Sequence, residues 1–304
     1  MRRSPITTEP GHNQDLARTQ NRAPEQALRV NFTKMHGLGN DFMVIDQISH
    51  PVELSAEQIR SLGDRHRGVG FDQLLIIAPP TRPDADFSYR IFNADGSEVE
   101  HCGNGARCFA RYVLMRGLAA RSPIRVQTRN RLLELHTDDN ARVSVDMGEP
   151  DFAPASLPFV ADTRQPGYQL NVESYGTVDF QAVSMGNPHI VLTVADANTA
   201  PVGSLGPELY SHAAFPQGVN VGFMQIVDRD TIRLRVFERG AGETEACGTG
   251  ACAAVACGIQ AGLLNTRVRA VLTGGDLTIE WAGAGQPVIM TGPATTVFEG
   301  SVLI

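Results

Sequence analysis

A chain of 304 residues, 42% apolar and 19% charged, has the balance of an ordinary globular protein with room for two domains. Its formal net charge of −7, from 26 Lys and Arg against 33 Asp and Glu, offers nucleic acid no basic footprint. No stretch approaches the roughly 18 apolar residues of a membrane-spanning helix, which argues against a membrane partner.

In chain order, residues 1–29 are polar and punctuated by proline. They lack the apolar stretch of a signal peptide and are expected to form a disordered extension. The first β-like run, Phe42-Met43-Val44, follows Gly39-Asn40. Phe92-Asn93-Ala94-Asp95-Gly96 then leads to Cys102-Gly103-Asn104-Gly105. From there Ala106, Phe109, Ala110, Val113 and Leu114 recur at helical spacing as far as Gly117, a C-cap. A hairpin is expected from Ile124 to Leu135, turning at Arg129-Asn130.

The second half repeats the first. Gly186-Asn187 precedes Ile190-Val191, and Phe237-Glu238-Arg239-Gly240 leads to Cys247-Gly248-Thr249-Gly250, 145 residues after its counterpart (247 − 102). The run from Gly250 to Ile259 is apolar or small on every side, which predicts a helix buried all round. A second hairpin runs from Val268 to Trp281, with its turn expected at Gly274-Gly275. Met147-Gly148-Glu149-Pro150 is echoed by Met290-Thr291-Gly292-Pro293. Strands outnumber helices without regular alternation, which makes the class α+β.

One thiol in each copy of a duplicated half places two Cys side chains across a shared cleft. That arrangement suits moving a proton from one face of a carbon to the other. Each thiol stands at a glycine-rich helix start, where unpaired N–H groups and the helix dipole favour anions. Two such starts facing each other can hold one carboxylate, and they are expected to lower the thiol pKa values. Five cysteines without a secretion signal point to a reducing, cytoplasmic setting. Cys247, Cys252 and Cys257 diverge around a helix and cannot close on one ion, so no metal site is expected. Cys108, Cys252 and Cys257 read as core packing. His36, His66, His101 and Arg107 carry no assigned role.

The segments HGLGNDF (36–42), GVGFDQ (68–73), FNADGSEV (92–99), CGNGARC (102–108), MGNPH (185–189) and ERGAGETEACGTGA (238–251) resemble diaminopimelate epimerases, over residues 30–304. The resemblance implies two pseudo-symmetric domains, each a curled, mostly antiparallel β-structure around a central helix. These would comprise residues 30–146, joined by a C-terminal strand at 293–304, and residues 147–292. It implies a cofactor-independent enzyme that interconverts LL- and meso-diaminopimelate for lysine and cell-wall precursors.

Residue by residue, the resemblance makes Cys102 and Cys247 the acid/base pair and has Gly103, Asn104, Gly248 and Thr249 bind the reacting carboxylate. Asn40, Gln73, Asn93, Asn187, Asn220, Glu238 and Arg239 would read the distal end, with His189 and Glu238 also tuning the thiols. A homodimer is implied too, with Phe298 where some members place a Tyr linked to dimer formation. Two other readings remain at this point: a proline racemase-like isomerase, which would lack the distal readers, and a thiol redox sensor, in which the Asn set has no role.

Overall fold

The computed structural model describes residues 28–99, 102–120, 122–161 and 163–304. Residues 1–27 of the expected extension, with Glu100 and His101 of the first repeat segment, lie outside the described residues. Backbone pairing takes in two residues assigned above to the extension: Leu28 and Ile304 exchange hydrogen bonds of 2.9 Å, and the first strand starts at Arg29.

The first half comprises β1 (Arg29–Gly37), β2 (Asn40–Asp46), α1 (Ala56–Gly63), β3 (Gln73–Ala78), β4 (Phe87–Asn93), β5 (Glu98–Val99), α2 (Gly103–Met115), β6 (Ile124–Gln127), β7 (Leu132–Thr137) and β8 (Val143–Asp146). After β9 (Tyr168–Val172) the same order returns. It runs β10 (Gly176–Ser184), β11 (Pro188–Thr193), α3 (Val202–Tyr210), β12 (Asn220–Asp228), β13 (Thr231–Glu238), β14 (Gly242–Thr244), α4 (Gly248–Gln260), β15 (Arg267–Leu272), β16 (Gly275–Glu280) and β17 (Ile289–Gly292). The described chain closes with β18 (Thr295–Leu303).

Strand pairing repeats as the order does. β2–β3 and β11–β12 are parallel, each bridged by an outer helix, and β4–β6 and β13–β15 are parallel, bridged by the central helices α2 and α4. Parallel neighbours need such a crossover, whereas the remaining pairs are antiparallel and can use short turns. The expected α+β fold, a curled and mostly antiparallel sheet around a central helix, is present in both halves. Two pairings tie the halves together: β8 lies antiparallel to β17, and β18 returns to pair with β1 over its whole length.

The two central helices are matched. Each has 13 residues and ends in the same motif, with a left-handed glycine at Gly117 (φ 66°) or Gly262 (φ 71°). Beyond that glycine, the Leu118 and Leu263 N–H groups reach back to the Val113 and Gly258 carbonyls. As expected, α4 is buried all round, from Gly248 to Gly258 apart from Thr249. Its small Ala and Gly residues let the strands close on it. α2 fills its sheet with larger groups: Phe109 meets Phe87 and Tyr89 edge-on at 5.8 and 5.4 Å. Burying such a ring is worth roughly 1.5–3 kcal/mol.

On the far face of each sheet lies an outer helix that the hydrophobic pattern did not reveal. α1 covers Met43, Ile45, Leu74 and Ile76 with Ile59 and Leu62, and α3 covers Ile190, Leu192, Val221 and Phe223 with Val202, Leu205 and Leu209. α1 did carry a signal, the capping box Ser55-Ala56-Glu57-Gln58. α3 contains Pro207 and two glycines, which mask its helical character. The second hairpin turns one residue earlier than expected. Leu272 pairs with Gly275, so Thr273-Gly274 form the loop and Gly275 belongs to the strand.

Candidate active site

Cys102 and Cys247 are the N-cap residues of α2 and α4, each extended in backbone just before the helix begins. The two helix starts meet. Asn104 Nδ2 donates across the halves to the Ala246 carbonyl at 3.1 Å, and a Cβ added to Gly248 would fall 3.2 Å from Asn104 Oδ1. Met290 lies beneath both. A Cβ on Gly103 would fall 2.6 Å from its Cε, and one on Gly248 would fall 3.1 Å from its Sδ. Glycine at these two positions is therefore a packing requirement.

Hydrogen bonds gather the polar residues into one group around each thiol. In the first half, Asn40 Oδ1 accepts from Asn104 Nδ2 at 3.2 Å and lies 3.8 Å from Cys102 Sγ. In the second, Cys247 Sγ accepts from the Gly250 N–H at 3.3 Å and touches Thr249 Oγ1 at 3.6 Å. Thr249 in turn receives Asn187 Nδ2 at 3.4 Å, and Asn187 Oδ1 bonds His189 Nε2 at 3.0 Å. His189 thus reaches Cys247 only through Asn187 and Thr249.

The remaining expected readers sit at neighbouring strand ends. Gln73 Nε2 donates to Asn93 Oδ1 at 3.0 Å where β3 starts and β4 finishes. At the equivalent place in the second half, Asn220 accepts from the Arg239 backbone N–H at 2.8 Å and donates to the Pro188 carbonyl at 2.9 Å. The Arg239 guanidinium bonds the Gln217 carbonyl at 3.2 Å. Glu238 accepts from the Thr244 hydroxyl and stands close enough to raise both thiols by its charge. The pseudo-symmetry of these strand ends therefore holds for position but not for chemistry, since Glu238 and Arg239 stand where the first half has Asn93 and Ala94.

The expectation that helix starts lower the thiol pKa values is overturned. Burial pushes Cys102 up, against the Asn104 and Gly105 N–H groups and Arg107, which favour its thiolate. Burial, with Glu238 adding to it, pushes Cys247 well above the ordinary thiol range. Loss of water thus outweighs the helix donors. His189 is driven the other way, down to about 3, by burial and then by Arg239. It is a neutral imidazole.

A cluster not singled out above fixes Asn40. Asp72 Oδ2 accepts from Asn40 Nδ2 at 2.9 Å, which turns Oδ1 of that amide toward Cys102 and Asn104. Arg65 clamps Asp41 at 2.9 and 2.7 Å and Asp72 at 2.7 Å, and Lys34 meets Asp41 at 2.6 Å. Although burial alone would raise the Asp41 carboxyl, the bonds from Arg65 and Lys34 hold it down at about 2. In sequence Asp41 and Asp72 only adjoin two expected readers, Asn40 and Gln73.

The diaminopimelate epimerase family model matches residues 32–153 and 181–297. The diaminopimelate epimerase of Ectopseudomonas mendocina is 56% identical over 273 residues, which cover 90% of this chain and 99% of that protein. That of Pseudomonas entomophila is 57% identical over 274 residues, with the same coverage. Among solved structures, a hydroxyproline epimerase from Agrobacterium vitis aligns with a TM-score of 0.64 at 17% identity, over 91% of this chain and 93% of its own. A PhzF-family phenazine biosynthesis protein from Bacillus anthracis aligns at 0.66 and 16%, over 91% and 100%. At such low identity these two structures establish the shared fold alone. The matches to the family model and to its close relatives span most of the sequence, both thiol-bearing helix starts included, and the chain belongs to the diaminopimelate epimerase family.

Proposed function

We propose that the chain interconverts LL- and meso-diaminopimelate by a two-base mechanism in which Cys102 and Cys247 exchange the α-proton on opposite faces of one carbon. The observation that carries this is the pair of thiols capping two matched helices whose first turns meet at Asn104, Ala246 and Gly248. An α-hydrogen is a very weak acid, so the carbanion needs charge stabilisation that is already in place as the proton leaves. First-turn N–H groups have no partner within their own helix, and two sets of them converging on the α-carboxylate supply that stabilisation without a cofactor.

One sulfur, as thiolate, takes the proton and becomes a thiol. The other, starting as a thiol, gives its proton to the opposite face and becomes a thiolate. The reverse reaction exchanges the roles. Burial holds both sulfurs protonated, so one of them must lose its proton to solvent before it acts as the base. Gln73, Asn93, Asn220 and Arg239 are suited to a distal ammonium and carboxylate. On this reading the enzyme works in the cytoplasm, in keeping with five free cysteines, and as a homodimer. β18, with Val297 and Phe298 exposed, pairs only with β1 among the described residues and supports that assembly.

The test is substrate choice. Reduced protein, free of pyridoxal phosphate and in the presence of a chelator, is expected to turn over LL- and meso-diaminopimelate and leave proline untouched. A substrate lacking the distal end leaves buried polar groups unpaired, which lowers kcat/KM by about 10⁴-fold or more. Comparable turnover of proline would favour the racemase reading, and turnover of neither would favour the thiol sensor.

A further inference from the structure

Among the described residues Arg107 is the largest side chain buried completely, and no described carboxylate lies within ion-pair distance of it. Its Nε donates to the Pro293 carbonyl at 3.1 Å and its Nη1 meets Met290 Sδ at 3.5 Å, while Nη2 has no partner among the described residues. A guanidinium cannot shed its charge, and a buried charge without a counter-ion is costly. Such an arrangement persists only where something else in the interior, or something that enters it, supplies negative charge.

The surroundings say where that charge belongs. Arg107 projects from the second turn of α2, and a Cβ on Gly37 at the end of β1 would lie 3.0 Å from Nη2. Met290, which holds Nη1, is the side chain that lies under Gly103 and Gly248. One thioether thus separates the cation from the place where the two helix starts meet. The ionisable groups facing Arg107 are Cys102 and Cys108 on α2, Cys252 on α4 and, with like charge, Arg142 just before β8. Of the three thiols only Cys102 opens toward the cleft, since Cys108 and Cys252 are fully buried.

We propose that Arg107 is a positioning residue that acts as the fixed counter-charge of the cleft, holding from beneath the helix starts the negative charge that develops on Cys102 and arrives with the substrate carboxylate. This rests on the two-base reading for its reaction but not for its measurement. An uncompensated cation in the resting protein becomes a compensated one when the thiolate forms.

The test compares Arg107→Met, which keeps apolar bulk, with Arg107→Lys, which keeps charge. The pH at which Cys102 reacts with iodoacetamide, read from its own peptide by mass spectrometry, should move up by about one unit or more in Arg107→Met and largely return in Arg107→Lys. The rising limb of kcat/KM for diaminopimelate should move in parallel. Replacing a buried charge by a fitting apolar side chain is often neutral or stabilising, so the melting temperature of Arg107→Met should hold or rise. An unchanged alkylation profile in Arg107→Met would overturn the proposal even if activity fell, since a merely structural role would lower activity and leave the thiol titration in place. Should Arg107→Met fail to fold, the proposal stands or falls on Arg107→Lys, in which loss of the wild-type profile despite the retained charge would contradict it. A normal thiol shift without turnover of diaminopimelate would count against the substrate reading and leave Arg107 in its role.

Discussion

Cys102→Ala and Cys247→Ala are each expected to lose at least about a thousandfold in kcat/KM for diaminopimelate, in line with the range for removal of a positioned acid or base. On the proposed mechanism both sulfurs act in every turnover, one receiving and one delivering, so either loss stops both directions. The double variant should be little worse than either single one, because residues that work as a unit are not additive. Stability should change far less. Each substitution removes one atom at a helix N-cap, at a cost of about 1 kcal/mol. Cys108→Ala and Cys252→Ala, whose sulfurs are sealed in the core on the central helices themselves, should keep turnover apart from packing loss. Near-wild-type activity in either of the first two variants, measured in both directions with the protein fully reduced, would be incompatible with two bases.

Acidification should unfold the protein earlier than its carboxylates require, because of His189. This ring is 1% exposed, faces Arg239 and stays neutral down to about 3, whereas in the unfolded chain it takes a proton near 6.5. Above 6.5 both states hold the neutral ring and pH has no effect through this group. Below it the unfolded state binds the proton and the folded state does not, so stability falls as pH falls, by roughly 1.4 kcal/mol per unit until about 3. Between pH 6.5 and 5 the loss should amount to about 2 kcal/mol. Asp41, held at about 2, adds its own loss only below the ordinary Asp range. The control comes from the other half, where Phe42 occupies the position equivalent to His189 (189 − 42 = 147, the offset that relates Asn40 to Asn187). His189→Phe should flatten urea-unfolding stability between pH 7 and 5, whatever it does to absolute stability. An unchanged slope would mean that the ring is not the acid-sensitive group.

Duplication made much of this molecule legible. Two copies of Gly-Asn before a β-run and two of Cys-Gly-x-Gly before a helix located Asn40, Asn187, Cys102 and Cys247, and with them the two central helices. The all-apolar run after Gly250 could only be a helix with strands on every side. What escaped was set by contacts distant in sequence. The pairing of β8 with β17 has no local signature. The thiol pKa values followed from how completely the halves cover Cys247, which outweighs the helix donors that the glycine-rich turns advertise. Arg107, given no role from sequence, is the most deeply buried charge among the described residues, because the surface of α2 that carries it is closed off by Met290, Gly37 and Gly292. Asp72 and Arg65 work through Asn40, and nothing in their spacing says that Asn40 needs a particular orientation.

The central claim is that two different sulfurs act on the two faces of one carbon, and solvent isotope labelling tests it most directly. Reduced protein is given LL-diaminopimelate in deuterated water, and substrate and product are recovered early, while little has been converted. The abstracting thiol keeps the substrate's own proton and can return it only to the face it came from, whereas the donating thiol has already equilibrated with solvent. Early product should therefore carry deuterium at the inverted carbon, and recovered substrate should carry almost none. The same asymmetry is expected starting from the meso isomer, with the sulfurs exchanged. Equal early labelling of substrate and product would show a single base, or a proton that escapes to solvent, and would contradict the account.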